Sequence, residues 1–144
     1  VIFIFNADFW DVGFLQSALT LSNEFDLIIG SKQARGAIDR RPFARQLISQ
    51  SFNLMLRLFF GYAGTDTHGL KALNAGRVVP LVSKCRASNE LFDSELILRA
   101  QRAGLRLHEI PVEIEERRSA RVSLLRRVPG TAVDLLKMWW ALRS

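Results

Sequence analysis

The sequence has one cysteine, Cys85, and two histidines, His68 and His108, in 144 residues. A lone cysteine excludes an internal disulfide and any cysteine-based zinc centre, and two histidines are too few for a histidine-rich metal site. Long hydrophobic runs are also missing. The longest charge-free stretches, Val12 to Asn23 and Gln46 to Leu56, fall short of the roughly 18 apolar residues that a membrane-spanning helix needs. No cationic leader precedes Val1, and Val-Ile-Phe-Ile-Phe has the pattern of a buried strand, so the start does not read as a signal peptide and is expected to lie inside a domain. Lysine is scarce as well. Four lysines stand against 16 arginines, a balance suited to planar, forked contacts with phosphate or carboxylate.

Against these absences stands a composition that is 49% hydrophobic, enough for a substantial core at this length. The net charge of +6 is unevenly placed. Residues 1 to 116 hold 13 basic and 13 acidic side chains, whereas residues 117 to 144 hold seven basic and one acidic. A uniformly basic, nucleic-acid-coated body is therefore not expected, and the C-terminal excess points to a local anion site or a membrane-facing tail. The chain also lacks the aromatic platform on which single strands stack.

Periodicity gives a strand at Val1 to Phe5, then a helix capped by Asp11 and running to about Asn23 with Phe14, Leu15, Ala18, Leu19 and Leu21 on its apolar face. A second strand follows at Phe25 to Ile29. Strand, helix and strand within about 30 residues is the βαβ pattern, which implies a parallel sheet with function at the carboxyl ends of its strands. Lys32 to Arg41 reads as a mobile loop. Pro42 opens a long helix to about Gly61, Leu70 to Leu73 reads as a short strand, and Val78 to Val82 as part of a small helix. Glu90 to Ala103 is a helix stopped by Gly104, and Leu105 to Ile114 is an edge or bulged strand because of Pro111. The tail, Val122 to Arg143, has a helical pattern interrupted at Pro129-Gly130.

Several landmarks fall in one order along this frame. They are a strand ending in Asn6-Ala7-Asp8, then Asp26-Leu27-Ile28-Ile29-Gly30-Ser31-Lys32, a basic loop and long helix, and Asp66-Thr67-His68-Gly69-Leu70-Lys71-Ala72. Phe92-Asp93-Ser94-Glu95-Leu96 with Arg99 and Gly104 comes next, followed by Glu109-Ile110-Pro111-Val112 and Arg117-Arg118-Ser119-Ala120-Arg121. In this order they resemble the C-terminal half of the catalytic domain of a family 2 glycosyltransferase of the dolichyl- or polyprenyl-phosphate mannose or glucose synthase type. The resemblance implies an α/β chain with a partial GT-A, Rossmann-like fold. A mainly parallel sheet flanked by helices would lack the N-terminal nucleotide-binding strands and carry a C-terminal amphipathic helix. Residues 1–121 would belong to the catalytic domain and residues 122–144 to a basic, Trp-containing tail. The chain is then expected to be part of a longer polypeptide and inactive by itself.

The same resemblance implies transfer of a sugar, with inversion, from a nucleotide-sugar donor to a lipid-phosphate acceptor at the cytoplasmic face of a membrane, by a peripheral or tethered protein. No nucleic-acid partner is expected, and self-association is left open. Asp8 is the expected ligand for Mg2+ or Mn2+; its companion in the family's acidic pair is replaced by Asn6, whose amide brings no charge and lowers the expected metal affinity. Asp66 and Glu95 are the catalytic candidates, and Asn6, Lys32, Arg117, Arg118 and Arg121 the substrate- and phosphate-binding ones. Each has a plainer reading: Asp66 as a turn aspartate, Glu95 as the partner of Arg99 one helical turn on, and the arginines as a solvated basic face. Leu136, Trp139 and Trp140 among Lys137 and Arg143 suit a membrane interface, with docking on the chain's own core as the alternative. The amide at Asn6 also allows a second function, a catalytically weakened or inactive membrane-binding module of the same fold.

Overall fold

The computed structural model describes residues 1–6, 9–87, 91–115 and 128–143. Its order is β1 (Ile2–Ile4), α1 (Val12–Leu21), β2 (Leu27–Ser31), β3 (Ile38–Asp39), α2 (Phe43–Phe60), β4 (Leu70–Leu73), α3 (Ala75–Val82), α4 (Phe92–Arg102), β5 (Leu107–Pro111), β6 (Glu113–Ile114) and α5 (Val128–Ala141). Asp11 caps α1 as its sequence position predicts, its carboxylate accepting from the Phe14 amide at 3.0 Å. Pro42 precedes α2, and Gly61 closes it in the left-handed conformation at φ 67°, where a side chain would be strained.

The main sheet has the order β1-β4-β2-β5. β2 and β5 are parallel, but β4 runs antiparallel to both β1 and β2. The mainly parallel sheet expected from the βαβ pattern is thus a mixed one. β1 and β2 do share a direction, as a strand–helix–strand unit requires, but β4 is inserted between them, a long-range pairing that leaves no trace in local periodicity. The Lys32 to Arg41 stretch differs too: it contains β3, which pairs in parallel with β6 through Ile38 and Asp39. Two residues are too few to produce an alternation readable from sequence. In the tail, Pro129-Gly130 lies within the first turn of α5, where a missing proline N–H costs little, so it marks the start of the helix.

Strand alternation sends β2 side chains to both faces. Ile28 joins Leu70, Ala72 and Val112 beneath Phe14 and Ala18 of α1. Leu27, Ile29 and Leu73 face the other way, against Leu56 and Phe60 of α2, Val78 of α3, Leu96, Ile97 and Ala100 of α4, and Met138 of α5. The sheet is therefore covered on both faces, and each fully buried Leu or Ile contributes about 1.5–3 kcal/mol. α5 buries Met138 in this core, and Ala141 is buried as well, while Val133, Leu136 and Trp140 stay exposed. Its end is pinned by Arg99, which donates to the Ala141 carbonyl at 3.1 Å, and by Arg102, which donates to the Leu142 carbonyl at 2.7 Å. No helix among the described residues is long and apolar enough to cross a membrane.

Candidate functional site

The registers bring four segments to one end of the sheet. Ile4 lies opposite Lys71, Gly30 opposite Leu70 and Ser31 opposite Pro111. The chain leaving β1 at Asn6, the end of β2 at Ser31-Lys32, the turn entering β4 at Asp66 to Gly69, and the second half of β5 thus converge where α/β sheets place their ligands. The approach is close. A Cβ on Gly69 would fall on the backbone carbonyl oxygen of Gly30, so only glycine lets this turn lie against β2.

Asp66 is fully buried, and both oxygens of its carboxylate are engaged from nearby. Oδ2 accepts from the Lys32 ammonium at 2.6 Å and the Lys32 amide at 3.3 Å; Oδ1 accepts from the His68 amide at 3.0 Å. Burial pushes the carboxyl up, but the Lys32 charge, its hydrogen bond and the two amides outweigh that effect and hold it below the ordinary aspartate range. Lys32 and Asp66, both candidates from sequence, are brought together. The bond to His68, two residues on, is the turn arrangement the plainer reading of Asp66 anticipates, and the ion pair to Lys32 coexists with it.

Three further contacts build the turn. Thr67 Oγ1 shares a hydrogen bond of 2.8 Å with Ser94 Oγ on α4, the His68 ring stands edge-on to Phe52 at 5.2 Å, and Ser31 Oγ meets Thr65 Oγ1 at 2.7 Å. Lys71, nearly inaccessible on β4, donates to the Gly69 carbonyl at 2.9 Å and to Asp93 at 2.7 Å. A buried ammonium so held is paired and bonded, as burial of charge requires.

Glu95 belongs to another network. Also fully buried, it accepts from the Arg86 and Ala87 amides at 2.9 and 2.6 Å through one oxygen and from Arg99 at 2.7 Å through the other. Its bonds organise the approach to α4 and, through Arg99, the end of α5, and none reaches Asp66. Asn6 is exposed, and its carbonyl accepts from the Phe9 amide at 3.2 Å beyond the end of β1. Asp8, Arg117, Arg118 and Arg121 lie outside the described residues. Among the described residues no three His, Cys, Asp or Glu side chains gather to hold a metal ion, and Asn6 supplies only a neutral amide oxygen.

Lys71, Tyr62, Thr65 and Glu109 were not singled out by sequence reading, though Lys71 and Glu109 stand within two of the landmark segments. The available signal was an acidic residue midway along the strand pattern of Leu107 to Pro111, where a carboxylate needs partners.

No family model matches the chain, and no solved structure matches it. It is 32% identical over 122 residues, 84% of its length, to the glycosyltransferase AglD of Haloferax volcanii, covering 20% of that protein. It is 27% identical over 117 residues, 79% of its length, to an undecaprenyl-phosphate mannosyltransferase of Micrococcus luteus, covering 48% of it. A protein of Methanocaldococcus jannaschii named as uncharacterised is 25% identical over 91 residues. The chain thus spans between about a fifth and a half of the length of these curated relatives.

Proposed function

With its relatives supporting a glycosyltransferase family, we propose that the chain is the C-terminal part of a family 2, GT-A-type catalytic domain. It would serve transfer of a sugar from a nucleotide-diphosphate donor to a polyprenyl phosphate at the cytoplasmic face of a membrane. The observation that carries the acceptor class is the state of Asp66. A carboxylate that is inaccessible, bonded through both oxygens and held below its ordinary pKa is a weak base. A hydroxyl acceptor would need a stronger one. A phosphate, whose second pKa is about 6, is already an anion at neutral pH and needs none.

In this reading Asp66 fixes Lys32 at the end of β2. The ammonium carries three donors, the Asp66 contact uses one, and another would take a phosphoryl oxygen. An acceptor phosphate oxygen then bonds to the anomeric carbon from the face opposite the leaving nucleotide diphosphate, so one displacement inverts the centre. Arg117, Arg118 and Arg121 are proposed to neutralise the phosphates, and the exposed Val133, Leu136 and Trp140 of α5 to meet lipid. Glu95 is assigned a positioning role through α4. A divalent cation held by Asp8, with Asn6 beside it in sequence, would offset charge on the leaving diphosphate, although the described donors do not by themselves make a cation site.

The test is transfer by the full-length protein from a panel of nucleotide sugars to polyprenyl phosphate, with Mg2+ or Mn2+, followed by mass spectrometry of the lipid. A glycosylated lipid phosphate is expected, with loss of most activity in Lys32→Met. No product with any donor overturns the transferase reading; equal rates with polyprenol and polyprenyl phosphate overturn the acceptor class. Asn6→Asp is expected to tighten the metal dependence.

A further inference from the structure

Glu109 sits within β5 opposite Ile29 of β2, where a carboxylate costs free energy unless it is bonded. Its partners come from one short loop some 40 residues earlier. Oε1 accepts from the Thr65 amide at 2.7 Å and the Asp66 amide at 3.2 Å, Oε2 accepts from Thr65 Oγ1 at 2.7 Å, and the Tyr62 hydroxyl lies beside Oε1 at 3.2 Å. No cation among the described residues pairs with it. The Tyr62 hydroxyl also lies 2.7 Å from the Asp66 carbonyl oxygen, to which it donates. The loop wraps so tightly that a Cβ on Gly64 would collide with both the Tyr62 hydroxyl and the Glu109 carboxylate.

The backbone of Asp66 is therefore held on both sides, its N–H by Glu109 and its C=O by Tyr62, while its side chain holds Lys32. From this geometry we propose that Glu109 is a positioning residue for the transfer site: its carboxylate, acting with Tyr62, sets where the Asp66–Lys32 pair stands at the end of the sheet. The inference rests on the reading that this pair belongs to that site. Burial and the Glu109 charge push the Tyr62 phenol up, so it stays a donor across the working pH range.

The chemistry distinguishes the variants. A glutamine at position 109 can accept both amides on its oxygen and donate to Thr65 Oγ1, whose own hydrogen then turns to Ser31. Alanine can do neither, and aspartate keeps the charge but withdraws it by one methylene. In the full-length protein, Glu109→Ala and Glu109→Asp are expected to lower kcat roughly 10- to 100-fold, the effect of a misplacement of about 1 Å, with little change in donor KM. Glu109→Gln is expected to recover most of the loss.

A second readout is independent of turnover. The side-chain carboxyl carbon of Asp66, followed by 13C NMR, reports on a group bonded by Lys32 and the His68 amide, whose backbone is held by Tyr62 and Glu109. Its titration midpoint is expected to rise in Glu109→Asp, which keeps the charge, and to lie higher in Glu109→Ala than in Glu109→Gln, since these two remove the same charge and only the glutamine keeps the bonds. A contribution to stability alone would lower the apparent kcat only in proportion to the folded fraction, which circular dichroism measures, and would leave the Asp66 midpoint the same in Glu109→Ala and Glu109→Gln. A midpoint equal in Glu109→Ala and Glu109→Gln, or, where Glu109→Ala does not fold, one in Glu109→Asp equal to that of the wild type, overturns the positioning role. If the wild type transfers no sugar while the midpoint moves, the transferase reading fails and the positioning of Asp66 stands.

Discussion

The Lys32 ammonium and the Asp66 carboxylate, 34 residues apart in sequence, meet at 2.6 Å with side-chain exposures of 8% and 0%. Removing one partner of such a pair leaves the other charge buried and uncompensated, which costs about 3–5 kcal/mol. Lys32→Met should therefore be strongly destabilising in urea unfolding, and adding Asp66→Leu should restore much of the loss. Additive single and double variants would show that the two side chains are not coupled.

Acid should act through a small set of carboxyls. The Arg106 amide lowers the Asp26 carboxyl, against burial and with help from the charges of Arg77 and Arg106. At Asp39 burial raises the value, but the bonds from Arg41 outweigh it, and Asp66 is lowered by Lys32. A carboxyl whose folded pKa lies below its unfolded one stabilises the fold above the unfolded value of about 3.9, and that stabilisation is lost as pH falls through the folded value. Thermal stability is expected to be insensitive to these groups above about pH 5 and to fall below pH 4. In Asp26→Asn the slope of that fall should be shallower, as measured by circular dichroism melts.

The glycines should separate by what surrounds them. Gly69→Ala would drive a methyl group into the Gly30 carbonyl and should exceed the about 1–3 kcal/mol of ordinary overpacking. At Gly61 nothing lies within 4 Å, so alanine there meets only the strain of φ 67°, about 1–2 kcal/mol. Equal melting-temperature losses would contradict the close approach of the Asp66 turn to β2.

Burial, followed by the Glu95 charge, raises the Cys85 thiol to about 11. At pH 8 its thiolate fraction is then on the order of 100-fold below that of an unperturbed cysteine. Iodoacetamide should accordingly label the native protein slowly and the urea-unfolded protein fast, a contrast that mass spectrometry measures directly.

Local chemistry carried its features from sequence into structure. Asp11 caps α1, Gly61 ends α2, and the strand at Leu70 to Leu73 stands where expected. Lys32 and Asp66 were legible through the resemblance, Lys32 closing one of its segments and Asp66 opening another. The insertion of β4 between β1 and β2, the β3–β6 pairing and the enclosure of Glu109 were not, since each joins residues far apart in the chain through register and backbone bonds that leave no periodic signature. Glu95 shows the intermediate case. Its pairing with Arg99 follows from helical spacing, whereas its grip on the Arg86 and Ala87 amides does not.

The anchoring of α5 bears on how the gene can be cut. A shortened product ending before Val128 would open to water the socket that Met138 and Ala141 fill, and would strip Arg99 and Arg102 of the carbonyls they hold at Ala141 and Leu142. Because Arg99 also grips Glu95, the disturbance would pass into α4, whose Ser94 touches the Asp66 turn through Thr67. The last helix looks like a dispensable appendage by its place at the end of the sequence, yet trimming it would loosen the wall against which the site is built.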